Sequence, residues 1–244
     1  FQPYQEDTMS AHTLSGRDAT EVLWFQRRQT LQAAAAWVAA GGWSAAAAQQ
    51  RSNIVELEGD ATLNGDGLRP DAAVQTGDVI ETGPKSRLVF VIGNSSFHVR
   101  QNSRLAVERG QTLNAVSLLR LLTGAVVSVW GRGASRRIVT PTLTAGIRGT
   151  GVYTEVFADK DFRSYVCNCY GTVDVSTASD KVTSVSEYHQ AFWADRRGAD
   201  EVVLSPAKAI NHTDEELEFL AKLVEQRTAW QISGKKGSKD SATY

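Results

Sequence analysis

Cys167-Asn168-Cys169 is the stretch whose residue types and spacing could do coordination or redox chemistry. These are the only two cysteines in 244 residues. On a strand, residues two apart share a face, so both sulfurs would point the same way. Strand rise sets their Cα atoms about 6.5–7 Å apart, the outer limit for a disulfide. The first expectation is therefore core packing, since a buried cysteine behaves as a small hydrophobe, or else a strained disulfide. Two alternatives stay open. One is a redox pair. The other is ligation of a soft metal, for which His189 and His212 are the further donors. His189 lies on the next β run, where antiparallel pairing could bring it alongside. A zinc or copper site would need sulfur within about 2.3 Å of the metal and imidazole nitrogen near 2.0–2.1 Å.

Other enzyme chemistry finds no support. The sequence has no Gly-x-Ser-x-Gly elbow, no Walker loop and no His-Glu-x-x-His. Gly131 to Gly133 and Gly149 to Gly151 are too short for a dinucleotide fingerprint and sit among β residues. A non-enzymatic protein without a cofactor is expected, the metal alternative aside.

Residues 139 to 153 organise the chain around these donors. Pro141 after Thr140 cannot donate to a ladder, so it belongs at a strand edge or turn. Gly146, Gly149 and Gly151 punctuate a Thr/Val/Ile/Tyr-rich run, as at a bend or bulge. Arg148 is the long cation among them. Its fork of donors is expected to tie carboxylates or carbonyls of neighbouring strands inside the fold; the alternative is an anionic ligand.

Short β runs recur from Asn53 onward, each closed by Gly, Asn, Asp or Pro. That rhythm predicts an all-β class, a sandwich, barrel or stacked-hairpin solenoid. Val182 to Trp193 reads as one long strand. Thr213 with Glu216 forms a capping box, and Leu217, Leu220 and Val224 give an apolar stripe, so residues 211–230 are predicted as a C-terminal helix packed on the β domain. Residues 231–244 read as a disordered tail. A formal net charge of −1 gives no field to hold nucleic acid. The basic group Arg132, Arg136, Arg137 is read as a solvated strand end.

The amino-terminal 48 residues read differently. Met9 is the single methionine and the expected start. Arg27 and Arg28 precede an Ala-rich run that ends in the small-x-small sequence Ala46-Ala47-Ala48. These are the parts of an export signal, on the twin-arginine route or the general secretory one. Cleavage after Ala48, a periplasmic location and only transient membrane contact are expected. The β domain then spans residues 53–206.

Taken together, Val139 to Tyr153 resembles the central signature of the FecR domain, roughly V-x-T-P-T-A-x-x-x-V-R-G-T-x-F. Gly77 to Ser86 is similar to its G-D-x-I-x-T-G-x-x-S, Leu118 to Gly124 to the apolar strand before the core motif, and Tyr170 to Val175 to the later G-x-V-x-V. The resemblance covers about Asn53 to Pro206 and implies a twisted, layered β domain. The best-known members regulate sigma factors. They join a cytoplasmic helical domain, one membrane span and a periplasmic β part, and they relay the state of an iron-siderophore receptor. Between Met9 and Arg27 there is no room for that cytoplasmic domain, so direct sigma-factor control is not expected. What the resemblance implies here is an exported domain that binds a protein partner or ligand in the bacterial envelope, in signalling or iron-related regulation.

Overall fold

β-Branched and apolar runs with a side-chain period of two carry much of the described chain into strands. A computed structural model describes residues 52–110, 115–133 and 135–238. The expected export residues Arg27, Arg28, Ala46 and Ala48 lie outside the described residues. In order the strands are β1 (Ile54–Glu58), β2 (Ala61–Leu63), β3 (Asp66–Gly67), β4 (Val79–Thr82), β5 (Arg87–Ile92), β6 (Ser95–Val99), β7 (Arg104–Arg109) and β8 (Val116–Trp130). There follow β9 (Arg136–Val139), β10 (Thr144–Ile147), β11 (Gly151–Phe157), β12 (Arg163–Ser176), β13 (Lys181–Ser186), β14 (Gln190–Arg196) and β15 (Val202–Ala207). Helices α1 (Asp214–Leu223) and α2 (Ala229–Ser233) close the described chain. The all-β class with a C-terminal helix is what the sequence predicts.

The first sheet runs β1-β5-β6-β8-β11-β12-β14-β15, antiparallel throughout. The second runs β3-β2-β4-β7-β8-β9-β10-β12-β13, with a single parallel pairing, β8 to β9, among the described residues. β8 and β12 belong to both. β8 leaves β7 and β9 after Thr123 and then pairs with β6 and β11. β12 pairs with β14 over Ser164 to Asn168 and with β13 from Gly171 onward. Each crossing falls on a glycine with positive φ, Gly124 at 76° and Gly171 at 96°.

Residues from both sheets share one apolar core that includes Ile80, Phe90, Phe97, Leu119, Trp130, Val152 and Val166. Phe97 meets the Trp130 ring edge-on at 5.1 Å. A second cluster forms on the other face of the first sheet. There Val127, Tyr153, Tyr165, Cys167 and Cys169 lie under Leu217, Leu220 and Ala221 of α1 and Trp230 of α2. The side-chain period of two along β12 therefore sends Val166 into one core and Cys167 into the other.

Several sequence expectations change. Val182 to Trp193 is two strands, because β12 switches sheets and its partner must switch with it; the break falls at His189, whose φ is 42°. The C-terminal helix is also two. α1 stops at Leu223, and Thr228 opens α2 with a second capping box to Gln231. The expected tail begins late, since Gln231 to Ser233 belong to α2 and Lys236 Nζ lies 2.9 Å from Asp214 Oδ2. Residues 239–244 lie outside the described residues.

Arg148 pairs with a neighbouring strand as expected, its Nη2 donating to Asp174 Oδ2 at 2.6 Å, but the side chain is 69% exposed. It is a surface tie and not an internal one. Gly149, with φ of 69°, turns the chain beside it. Pro141 occupies the exposed turn between β9 and β10, and Thr140 Oγ1 accepts there from Leu143 N at 3.0 Å. The buried guanidinium is Arg136, which the sequence reading placed in solvent. It donates to Gly131 O at 2.8 Å and Asn94 Oδ1 at 2.7 Å, and stands over the Trp130 ring at 5.8 Å. Burial lowers its affinity for the proton.

Two stability measurements follow. Arg148→Ala should cost at most about 1 kcal/mol, as exposed ion pairs do, whereas Arg136→Ala should cost roughly 2–4 kcal/mol through buried partners left unsatisfied. Urea denaturation giving equal losses would contradict that assignment. Gly171→Ala should cost roughly 1–3 kcal/mol. A Cβ there would lie 2.7 Å from Thr150 Cβ, on a backbone that L side chains rarely adopt. An unchanged urea midpoint would show that the bend does not need glycine.

Candidate metal centre

Cys167, Cys169, His189 and His212 come together in the second core, all buried, with their ligand atoms within 4.8 Å of one another. The two cysteines point the same way off β12 as the strand period requires, and they are not joined in a disulfide. His189 arrives by the turn between β13 and β14, where its N–H donates to Cys169 O at 2.9 Å. His212 immediately precedes Thr213, the N-cap of α1. Local sequence thus aims each ring: one by a strand switch, the other by a helix start.

The contacts inside the cluster are short. Cys167 Sγ lies 3.6 Å from His189 Nδ1, and Cys169 Sγ lies 3.4 Å from His212 Nε2. The two facing ring nitrogens, His189 Nδ1 and His212 Nε2, are 3.1 Å apart. The outward nitrogens have acceptors of their own. His189 Nε2 is 3.1 Å from Asp214 Oδ1, and His212 Nδ1 is 2.6 Å from Ile210 O. A carbonyl and a carboxylate accept only, so each outward nitrogen carries the ring proton. Both rings then turn a lone pair inward, toward each other and toward the sulfurs.

Aromatic walls enclose the group. Tyr153 stacks on His212 with ring centroids 4.7 Å apart, and Trp230 stacks on His189 at 5.4 Å. Tyr188 meets His189 edge-on at 4.5 Å, and its hydroxyl donates to Asp214 Oδ2 at 3.0 Å. Burial alone would raise the Cys167 thiol, but its interactions with Cys169, His189 and His212 outweigh that and hold the thiol well below its ordinary value. A cleft of about 380 Å³ lined by Tyr188, His189, Lys235 and Lys236 reaches the edge of the group from solvent. Asp214, Tyr153, Tyr188 and Trp230 were not singled out from sequence. Asp214 had a signal, since it follows the N-cap of a helix start that also contains His212.

α1 is fastened at its first turn. Glu216 closes the capping box with Thr213, and its two oxygens accept from Arg100 Nη2 at 2.6 and 2.7 Å. His98 Nδ1 lies 3.3 Å from the same carboxylate, so His98 faces the helix and not solvent. The end of the helix is held by Ser96 Oγ, which donates to Leu220 O at 2.7 Å.

The two sheets, one antiparallel and one mixed, with two shared strands and a helical cover, define a layered β-sandwich domain. Residues 78–179 match the family model described as FecR protein. That stretch of the chain is similar to a FecR domain. No curated protein matches. Two crystal structures of a "putative anti-sigma factor" from Parabacteroides distasonis ATCC 8503 are similar to it. The first shares 11% identity at a TM-score of 0.45, over 55% of this chain and 60% of that one. The second shares 10% at a TM-score of 0.45, over 59% of this chain and 64% of that one. The chain thus spans less than two thirds of either, and likeness this distant carries no functional conclusion. Cys167 and Cys169 fall inside the family match, whereas His189 and His212 fall beyond it.

The Glu216 contacts set a pH dependence. Burial would raise this carboxyl, but hydrogen bonds from His98 and the Thr213 backbone, with the Arg100 charge, bring it below its ordinary value. The unfolded chain therefore binds the proton more tightly, and stability rises with pH through this window. The contribution is complete above the ordinary carboxylate range and is lost as pH falls through the depressed folded value. Glu216→Gln should weaken docking of α1 by roughly 1–3 kcal/mol at neutral pH and flatten this part of the acid profile. Parallel wild-type and variant profiles in urea titrations between neutral and acid pH would refute this role.

Proposed function

We propose that this chain is a non-enzymatic FecR-type regulatory protein that binds a protein partner in the bacterial cell envelope. The match of residues 78–179 to the FecR family carries this reading. The character of the clefts supports it. The larger one, about 550 Å³, is lined by Arg100, Tyr153, Glu155 and Asn211, and each of these polar groups already has a partner. Tyr153 donates to Glu155 Oε2 at 2.8 Å, and burial holds its hydroxyl protonated. None of these four side chains is set up as a base or nucleophile. Among the described residues no helix is long and apolar enough to cross a membrane. The Arg27-Arg28 pair and the run to Ala48 supply the export route, which makes the periplasm the compartment in which the partner is met.

Cell fractionation with mass spectrometry of the recovered chain, joined to transcript profiling of a deletion strain, tests this. The expected outcome is a periplasmic chain that starts at Gln49, together with a discrete set of genes that shifts on deletion and returns on complementation. A full-length cytoplasmic chain with unchanged transcription would overturn the reading. Replacing Arg27 and Arg28 by Lys should block export on the twin-arginine route and leave it intact on the general one.

A further inference from the structure

We propose that Cys167, Cys169, His189 and His212 form a closed site for one tetrahedral divalent cation, zinc fitting best, and that this ion fastens the C-terminal segment to the FecR domain. The regulatory reading above does not depend on it. The inference rests on donor identity, spacing, tautomers and surroundings, which agree with one another.

Two thiolates and two imidazoles are a zinc donor set, and four protein donors leave no open position for substrate. A tetrahedron with bonds of about 2.3 Å to sulfur and 2.05 Å to nitrogen has sulfur–nitrogen edges of about 3.5–3.6 Å and a nitrogen–nitrogen edge of about 3.3–3.4 Å. The corresponding separations here are 3.6 and 3.4 Å for sulfur to nitrogen and 3.1 Å for nitrogen to nitrogen. Three of the six donor–donor edges thus stand near coordination length, and all four ligand atoms lie within 4.8 Å of one another.

The outer contacts choose the same tautomers a metal requires. Asp214 and the Ile210 carbonyl occupy the outward nitrogens, as the second shell of a metal-bound histidine does. That leaves two inward lone pairs 3.1 Å apart in a buried, aromatic-walled space. Two neutral rings in this orientation repel, and relief takes an extra proton or a cation. A cation relieves the sulfurs as well. Two thiolates around a divalent ion sum to no net charge, so the desolvation that opposes an isolated buried charge is largely avoided.

Core packing of small hydrophobes explains the burial of the cysteines but not the presence of two histidines with both outward nitrogens satisfied. A redox pair needs an accessible thiol; both residues are 0% exposed. The position of the donors gives the site its role. Two come from β12 within the FecR match, one from the turn after β13, and one from the residue before the cap of α1. An ion bound there would staple the helical cover to the strand beneath it.

The test uses the full chain purified under reducing conditions without added metal, then loaded with zinc and desalted. Elemental analysis should give a single zinc per chain, and cobalt(II) substitution should give sulfur-to-metal charge-transfer absorption with the intense visible bands of a tetrahedral centre. Removal of the metal by chelator should lower Tm by roughly 10 °C. It should also release hydrogen-exchange protection across residues 212–233 while the strands of the second sheet keep theirs. The double variant Cys167→Ala with Cys169→Ala, which substitutes small apolar groups in a packed core, should fold yet retain under a tenth of the wild-type metal. His212→Ala should lose metal in the same way. Equal metal content in wild type and the double cysteine variant would overturn the site. So would weak octahedral cobalt bands, or thiol titration of periplasmic protein showing a Cys167–Cys169 disulfide. Stoichiometric metal with unchanged protection of residues 212–233 on chelation would overturn the fastening role alone.

Discussion

β12 pairs with β11 and β14 over its first half and with β10 and β13 over its second. A strand that serves two sheets must bend where it leaves one for the other, and the bend at Gly171 fixes where the donors fall. Before it, the period of two places Tyr165, Cys167 and Cys169 on the face that α1 covers. Beyond it, the partner strand cannot follow in one piece, because β13 and β14 lie in different sheets. The break between them is the turn at His189, bonded back to Cys169. One change of sheet thus creates both the cysteine face and the histidine that meets it. Gly124 lets β8 change sheets in the opposite order, entering the first sheet where β12 leaves it, so both shared strands contribute to the platform under α1.

Polar groups in this second core are costly to bury, and the surrounding structure is arranged around that cost. Asp214 is 4% exposed as a residue, yet it touches His189, Tyr188 and Lys236. It also sits in the first turn of α1, where the unpaired backbone N–H groups favour negative charge. Arg100 and His98 do for Glu216 what Tyr188 and Lys236 do for Asp214. The acidic first turn of α1 is thereby read twice from below, by basic groups of β6 and its end on one side and by the cluster on the other. Apolar contacts of Leu217, Leu220 and Ala221 supply the area of docking, whereas these carboxylates supply its register.

The strand rhythm, the paired faces of Cys167 and Cys169 and the capping box at Thr213 were legible because each is a local pattern with a fixed period or offset. The FecR signatures were legible for the same reason. What was not legible depends on pairing across the chain. Val182 to Trp193 has no Gly or Pro, so nothing in it announces the turn; His189 takes positive φ because β12 forces its partner to change sheets. Arg136 and Arg148 look alike in sequence, each in a β run near glycines. Only the packing of Trp130 and Asn94 around one, and the turn at Gly149 beside the other, separates a buried guanidinium from an exposed one. Four donors spread over 46 positions meet only after those long-range choices are made.

The division of the donors between the family match and the chain beyond it bears on how the helical cover is held. The FecR match ends at residue 179. β13, β14, β15 and both helices follow, so the face carrying Tyr153, Tyr165 and the cysteines is covered by chain that the match does not include. Without that cover the first sheet would present a contiguous aromatic and aliphatic surface of the kind that marks interaction sites. α1 spans ten residues, too few for a helix to persist on its own in water. Its order therefore derives from the contacts beneath it. Those contacts converge on its first turn, where His212, Asp214 and Glu216 reach the turn at His189, β6 and the residue that follows it. A change at that single turn would act on the whole cover, since Leu217 and Leu220 can stay buried only while the turn holds their register.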